Sequence, residues 1–309
     1  MKKKVTVAGA GNVGSSLAQM IVQDGSADVV LCDIAEGIPQ GKALDISEAC
    51  PLWGSSSTIT GANDYSPTVD SDIIVVTAGL ARKPGMSRDD LLLANAKVIS
   101  DVVEKTSKLS PRSIIVIVTN PMDVMTQLSL KVSGFDPARV VGMGGVLDSA
   151  RFRTFVAWEV GVSPQDVEAL VLGGHGDLMV PMPRFTTVKG VSLPELLSRE
   201  RIDALVQRTR NGGAEIVSML KTGSAYYAPA ASAYQMVRAI INDEKRMLPC
   251  ATYLNGEYGA RAVCTGVPVV LGGKGVEKII ELTLNDQEEN DFKKSVDAVR
   301  SLADTLKLS

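Results

Sequence analysis

A single histidine, His175, stands in 309 residues, within the run Leu172-Gly173-Gly174-His175-Gly176-Asp177. Imidazole is the one side chain whose ordinary pKa lies near neutrality, so a reaction needing one reversible proton carrier has one ordinary candidate here. A lone histidine can equally be a satisfied structural residue. The neighbours favour chemistry: Val167 to Leu172 reads as a mostly apolar strand, and the glycines after it let backbone and ligand approach closely. The ring is therefore expected at a strand end beside a crevice.

A proton-carrying imidazole needs a carboxylate to fix its tautomer and stabilise its charged form, and a carboxylate substrate is suited to an arginine fork. Asp148 and Arg151, at i and i+3 of a helical pattern that Asp148 opens, share one helix face and could supply both. The competing reading is a surface ion pair. A second basic set lies between Leu80 and Asp90, where Arg82 and Arg88 flank the turn signal Pro84-Gly85. Ser87 with Asp90 resembles a capping box, so this loop could move while its far end stays anchored. Two arginines there could close over an anionic substrate, or the segment could be a solvated basic loop. Asn120-Pro121 offers an amide at a strand end, although Asn-Pro also starts many turns.

These groups need a scaffold. Lys4 to Ala8 is a β-rich run ending in Gly9-Ala10-Gly11-Asn12-Val13-Gly14, after which Leu17, Ala18, Ile21 and Val22 recur at helical spacing. Between a strand and a helix, GxGxxG permits the tight turn and lets a pyrophosphate reach the helix amino terminus, whose free N–H groups favour an anion. A second strand, Asp28 to Asp33, ends in a carboxylate placed to accept from ribose hydroxyls and to repel a 2'-phosphate. Ile34 to Gly37 supplies no arginine to bind such a phosphate, so the pattern favours NAD over NADP. Further strands are expected at 58–61, 72–79 and 113–120. The last two are continuous apolar runs, as in parallel strands covered on both faces. The architecture is α/β: a Rossmann doubly wound parallel sheet over residues 1–145 and a second α+β substrate and catalytic domain over 146–309. Ligands bind beyond the carboxyl ends of such strands, which puts Gly79, Asn120 and the loops after them at the site.

The second half reads mostly as scaffold, with helical pattern over about 193–219 and 230–243 and β-rich runs near 248–254 and 267–271. A last helix begins near Asn285 with Phe292, Val296, Val299 and Leu302 on one stripe, and the small-residue loop 223–229 could line a pocket. Lys plus Arg number 32 against 35 Asp plus Glu, so no basic excess points to nucleic acid or an anionic membrane. No stretch reaches the length of an apolar spanning helix and the amino terminus shows no signal region, so a cytoplasmic protein is expected. The four cysteines have no metal-ligand spacing with the lone histidine; no metal is expected, and the thiols read as reduced and mostly buried.

Taken together, GAGNVG, ARKPGMSR, TNP, LDSARFR and GGHGD resemble the lactate and malate dehydrogenase family, in order and spacing along essentially the whole chain. The resemblance implies hydride exchange between NAD and a 2-hydroxy acid. It implies His175 as proton donor and acceptor, Asp148 as its partner, and Arg88 as the group that polarises the carbonyl. Arg151 would fork the C1 carboxylate, with Asn120 in the substrate set. Arg82 would read a distal carboxylate, which implies a small dicarboxylate, malate or oxaloacetate. The cofactor-binding set is Gly9, Gly11, Asn12, Gly14, Asp33, Asn95 and Asn120, and a homo-oligomer, dimer or tetramer, is expected. One departure is Gly174, where many lactate dehydrogenases have Glu. The rival readings are a lactate or other 2-hydroxy-acid dehydrogenase and a dinucleotide-binding sensor without catalysis, which would not need the His/Asp pair and three arginines.

Overall fold

The computed structural model describes residues 2–80 and 88–308, apart from the side chain of Arg88. Arg82, Pro84, Gly85 and Ser87, and with Ser87 the expected capping box, lie outside the described residues.

The first half alternates strands and helices: β1 (Lys3–Ala8), α1 (Asn12–Asp24), β2 (Ala27–Cys32), α2 (Ile38–Trp53), β3 (Ile59–Ala62), β4 (Ile73–Val76), α3 (Arg88–Leu109), β5 (Ile114–Ile117), α4 (Met122–Ser133) and β6 (Val140–Gly142). All strand pairs among them are parallel, in the order β3-β2-β1-β4-β5-β6. Every residue of β4 (IIVV) and β5 (IIVI) is buried, because helices cover both faces of the sheet and leave no polar side to alternate with. Chain order reverses between β1 and β4, and the crevice that opens there beyond the strand ends is where a doubly wound sheet binds its ligand.

The second half contains α5 (Gly144–Val160), the short strands β7 (Val167–Glu168), β8 (Val171–Leu172), β9 (Val180–Pro181), β10 (Thr187–Val188) and β11 (Val191–Ser192), then α6 (Leu193–Leu196), α7 (Arg199–Leu220), α8 (Tyr227–Ile241), β12 (Arg246–Asn255), β13 (Arg261–Gly272), β14 (Gly275–Ile279) and α9 (Asp286–Thr305). β12 pairs antiparallel with β6 at Ala251 and Gly142, and β13 and β14 extend it, so among the described residues one nine-stranded sheet runs through both halves. α9 starts on a full capping box, Asn285 with Glu288, and buries Phe292, Val296 and Val299. Among the described residues no helix is long and apolar enough to cross a membrane.

Three local expectations change. The run 167–172 is two short strands in different sheets: β7 joins β10, whereas β8 pairs with β9. Long-range pairing overrides the continuous apolar pattern there. α5 starts at Gly144, so Asp148 lies inside the helix. β6, only three residues long, carried too little pattern to be anticipated, yet it links the two halves.

Candidate active site

The histidine loop leaves β8 at Leu172 and is held at three consecutive peptides. Gly173 N–H donates to Gly266 O of β13 (2.8 Å), Gly174 N–H to Ser295 Oγ of α9 (2.9 Å), and His175 N–H to Asp123 Oδ2 of α4 (2.7 Å). The amino-terminal end of α5 packs against the ring's base, and Gly144 makes that possible: a Cβ there would lie 2.8 Å from His175 Cβ and 2.4 Å from Met122 Cε.

α5 brings Asp148 and Arg151 to the ring. Asp148 Oδ2 lies 2.8 Å from His175 Nδ1, and Asp148 Oδ1 accepts from Arg151 Nη1 at 3.2 Å. The Asp148 side chain is 1% exposed and that of Arg151 13%, so the surface ion pair is excluded. An ionised, acceptor-only carboxylate fixes the proton on Nδ1, leaving Nε2 as the nitrogen that gives or takes a proton. Burial alone would pull the imidazole pKa down, but the charge and hydrogen bond of Asp148, helped by Asp123, outweigh it and hold the pKa above the ordinary 6.5. Arg151 opposes that shift. Its buried Nε has no hydrogen-bond partner among the described residues, so the guanidinium keeps donor capacity for a carboxylate. α7 makes room for it with Gly212, whose Cβ would stand 3.3 Å from Arg151 Cδ.

His175 opens on a cavity of about 460 Å³ shared with Asn120, Asp123, Leu178 and Val299. Residues 223–229 are not among those lining it. Asn120 is exposed at this wall, where a cis peptide joins it to Pro121. Asn95 of α3 is 1% exposed: its Oδ1 accepts from Leu80 N–H (2.7 Å), and its Nδ2 donates to Asn120 O (2.7 Å) and Leu80 O (3.2 Å). It thus ties the loops after β4 and β5 together.

At the other end of the crevice the glycine turn meets steric demands. Gly9 has φ +111° and Gly14 lies against it, a Cβ at 14 falling 1.8 Å from Gly9 O. A Cβ at Gly11 would meet nothing within 4 Å, so that face is open to an incoming group. α1 has no side-chain cap at Gly11, and Asn12 in its first turn is exposed, which leaves the helix N–H groups available to a pyrophosphate. Asp33 follows β2 and accepts from Ala10 N–H (2.7 Å) and Ala35 N–H (2.9 Å), an orientation that keeps further lone pairs for hydroxyl donors. These residues fit a dinucleotide.

Sequence reasoning missed Asp123, Ser295, Gly144 and Gly212. Only the last had a local signal: Gly212-Gly213 inside a helix costs about 1 kcal/mol per glycine against Ala, which asks for a packing reason.

Known proteins resemble this chain over both of its halves. Residues 3–142 match the lactate/malate dehydrogenase NAD binding domain, and residues 145–307 match the family's alpha/beta C-terminal domain. A malate dehydrogenase of Rhodopirellula baltica is 56% identical over 307 residues, 99% of this chain and 98% of that protein. The solved malate dehydrogenase of Salinibacter ruber superposes with a TM-score of 0.95 at 49% identity, over 98% of this chain and 97% of that one. A lactate dehydrogenase of Cryptosporidium parvum, solved with lactic acid and nicotinamide adenine dinucleotide, superposes with a TM-score of 0.96 at 42% identity, over 100% and 99%. With both halves matched to one family and the likeness running end to end, the chain belongs to the lactate/malate dehydrogenase family.

Proposed function

We propose that this protein interconverts malate and oxaloacetate with NAD, using His175 as the proton carrier. The observation that carries the mechanism is the 2.8 Å contact between His175 Nδ1 and the buried Asp148, with Arg151 on the same carboxylate. When bound, NAD supplies or accepts the hydride. In the reduction, imidazolium His175 gives its Nε2 proton to the oxygen of the ketone; in the oxidation, the neutral ring takes the hydroxyl proton. Asp148 keeps the ring oriented and balances its charge while Arg151 holds the C1 carboxylate. Arg88, at the start of α3, is read as the group that stabilises charge on the substrate oxygen, and Arg82 as the reader of the distal carboxylate. Asn120 borders the site. Gly9, Gly11, Asn12, Gly14 and Asp33 would hold NAD, with Asn95 supporting the nicotinamide end through Leu80 and Asn120.

The test is NADH oxidation followed by absorbance with oxaloacetate and, separately, pyruvate; turnover of neither would refute the assignment. Overall shape does not choose between the substrates, since lactate and malate dehydrogenases superpose equally well. The choice of malate rests on whole-chain identity to malate dehydrogenases and on the extra arginine at position 82.

Cofactor preference follows from Asp33, whose carboxylate accepts from a ribose diol and repels a phosphate. Replacing Asp33→Ser together with Ile34→Arg is expected to narrow the preference for NAD over NADP by about tenfold or more, the scale of one charge-assisted hydrogen bond. Equal kcat/KM for the two cofactors in the unmodified protein would remove the role given to Asp33.

The division into domains is read at 145/146, close to the break between the two family matches, which end at 142 and begin at 145. A cytoplasmic setting is supported by four buried free cysteines. Assembly as a dimer or tetramer is supported by apolar side chains left exposed on helices, Leu44 and Leu52 on α2, Met219 on α7 and Tyr227 on α8. Sedimentation that finds a single-chain species alone would exclude the oligomer.

A further inference from the structure

Of the three acceptors that hold the histidine loop, two are side chains from elements far away in sequence: Asp123, 52 residues from His175, and Ser295, 121 residues from Gly174. Asp123 is 5% exposed, and its Oδ1 has no hydrogen-bond partner among the described residues. An under-satisfied buried carboxylate is costly, and its burial pushes the pKa up to about 6. Packing alone does not require a charged group here. Gly174 adds a steric constraint, because a Cβ there would lie 2.6 Å from Val299 Cγ2 of α9. The missing side chain lets α9 come close enough for Ser295 to reach the loop, which gives a physical reason for glycine at that position in this chain.

We propose that Asp123 is a positioning residue for His175. Asp123 grips the histidine's own N–H while Ser295 grips the one before it, fixing the ring toward Asp148, and the Asp123 charge favours the imidazolium. The inference rests on His175 being the proton carrier. Its consequence is kinetic, because misplacing a reacting group by about 1 Å costs on the order of a hundredfold. Among the described residues, the charged and titratable groups around the ring are Asp148 and Arg151 from α5, Asp123 from α4 and Asp177 on the loop itself. β13 contributes Cys264, a thiol that burial pushes far above neutrality, and α9 presents the uncharged Ser295 and Val299.

The experiment compares Asp123→Asn, which keeps an acceptor and loses the charge, with Asp123→Ala, which loses both, and with Ser295→Ala. Asp123→Ala is expected to lower kcat about 10- to 100-fold while the Kd for NADH stays within about threefold. Asp123→Asn is expected to regain most of that kcat near pH 6, yet to move the alkaline limb of oxaloacetate reduction to lower pH by about half a unit or more. Ser295→Ala should lower kcat roughly threefold, as the weaker grip. An Asp123→Asn variant with an unmoved limb overturns the proposal, as does Asp123→Ala with normal kcat. If Asp123→Ala does not fold, the limb in Asp123→Asn and kcat in Ser295→Ala still decide. Full turnover in a histidine-free variant would instead sink the reading of His175 itself, whereas a dead histidine variant beside unaffected Asp123 variants sinks this inference alone.

Discussion

His175→Asn is expected to lower turnover by about 10³- to 10⁴-fold while NADH still binds with near-normal affinity. Asparagine keeps a polar side chain of similar reach but cannot carry a proton, and no second histidine exists to replace it. The glycine turn and Asp33 lie in the other part of the crevice and are untouched, so fluorescence titration with NADH should separate binding from chemistry. Near-normal kcat in this variant would end the proposed mechanism.

The same ring sets the pH dependence. Its pKa is raised above 6.5, with burial outweighed by Asp148, so the proton-donating form persists to higher pH than in a free histidine. Oxaloacetate reduction therefore holds below that raised pKa and falls as pH climbs through it, while malate oxidation rises over the same interval. Asp148→Asn removes the main charge partner: its reduction limb should move to lower pH, and kcat should fall steeply because Nδ1–H loses its ionised acceptor. An unmoved limb in that variant would mean that a different group titrates.

The nucleotide half was readable because its signals are local. Gly9 to Gly14 must turn between a strand and a helix, Asp33 must follow the next strand, and the buried runs of β4 and β5 announce a covered sheet. His175, Asp148 and Arg151 could be named from residue type and spacing, but not the contacts that set their geometry. The three grips on residues 173–175 come from β13, α9 and α4, and nothing local marks a serine at 295 or an aspartate at 123 as their source. The strand boundaries at 167–172 failed for the same reason: which neighbour each dipeptide pairs with is decided by the tertiary structure. Asn95, placed with the cofactor, turns out to direct its described hydrogen bonds to Leu80 and Asn120, a use visible only once the two strand-end loops are brought together.

The unmodified protein is expected to show a kcat/KM for oxaloacetate about three orders of magnitude or more above that for pyruvate. Charge counting at Arg82 is the reason. In the proposed mechanism Arg151 takes the C1 carboxylate of either substrate and Arg82 reads the distal group; pyruvate ends in a methyl group that offers Arg82 no partner, whereas oxaloacetate brings a second carboxylate. An unpaired enclosed charge costs about 3 to 5 kcal/mol, and a site built for a polar group rejects an analogue lacking it by on the order of 10⁴-fold. Arg82→Gln removes both the attraction and the penalty, so oxaloacetate activity should fall sharply and pyruvate activity should rise, shrinking the ratio by about a hundredfold or more. Parallel NADH oxidation assays on both proteins measure the ratio directly. A wild-type protein that reduces the two substrates equally, or an Arg82→Gln variant with an unchanged ratio, would show that the selecting charge lies elsewhere and would take away the main physical support for malate.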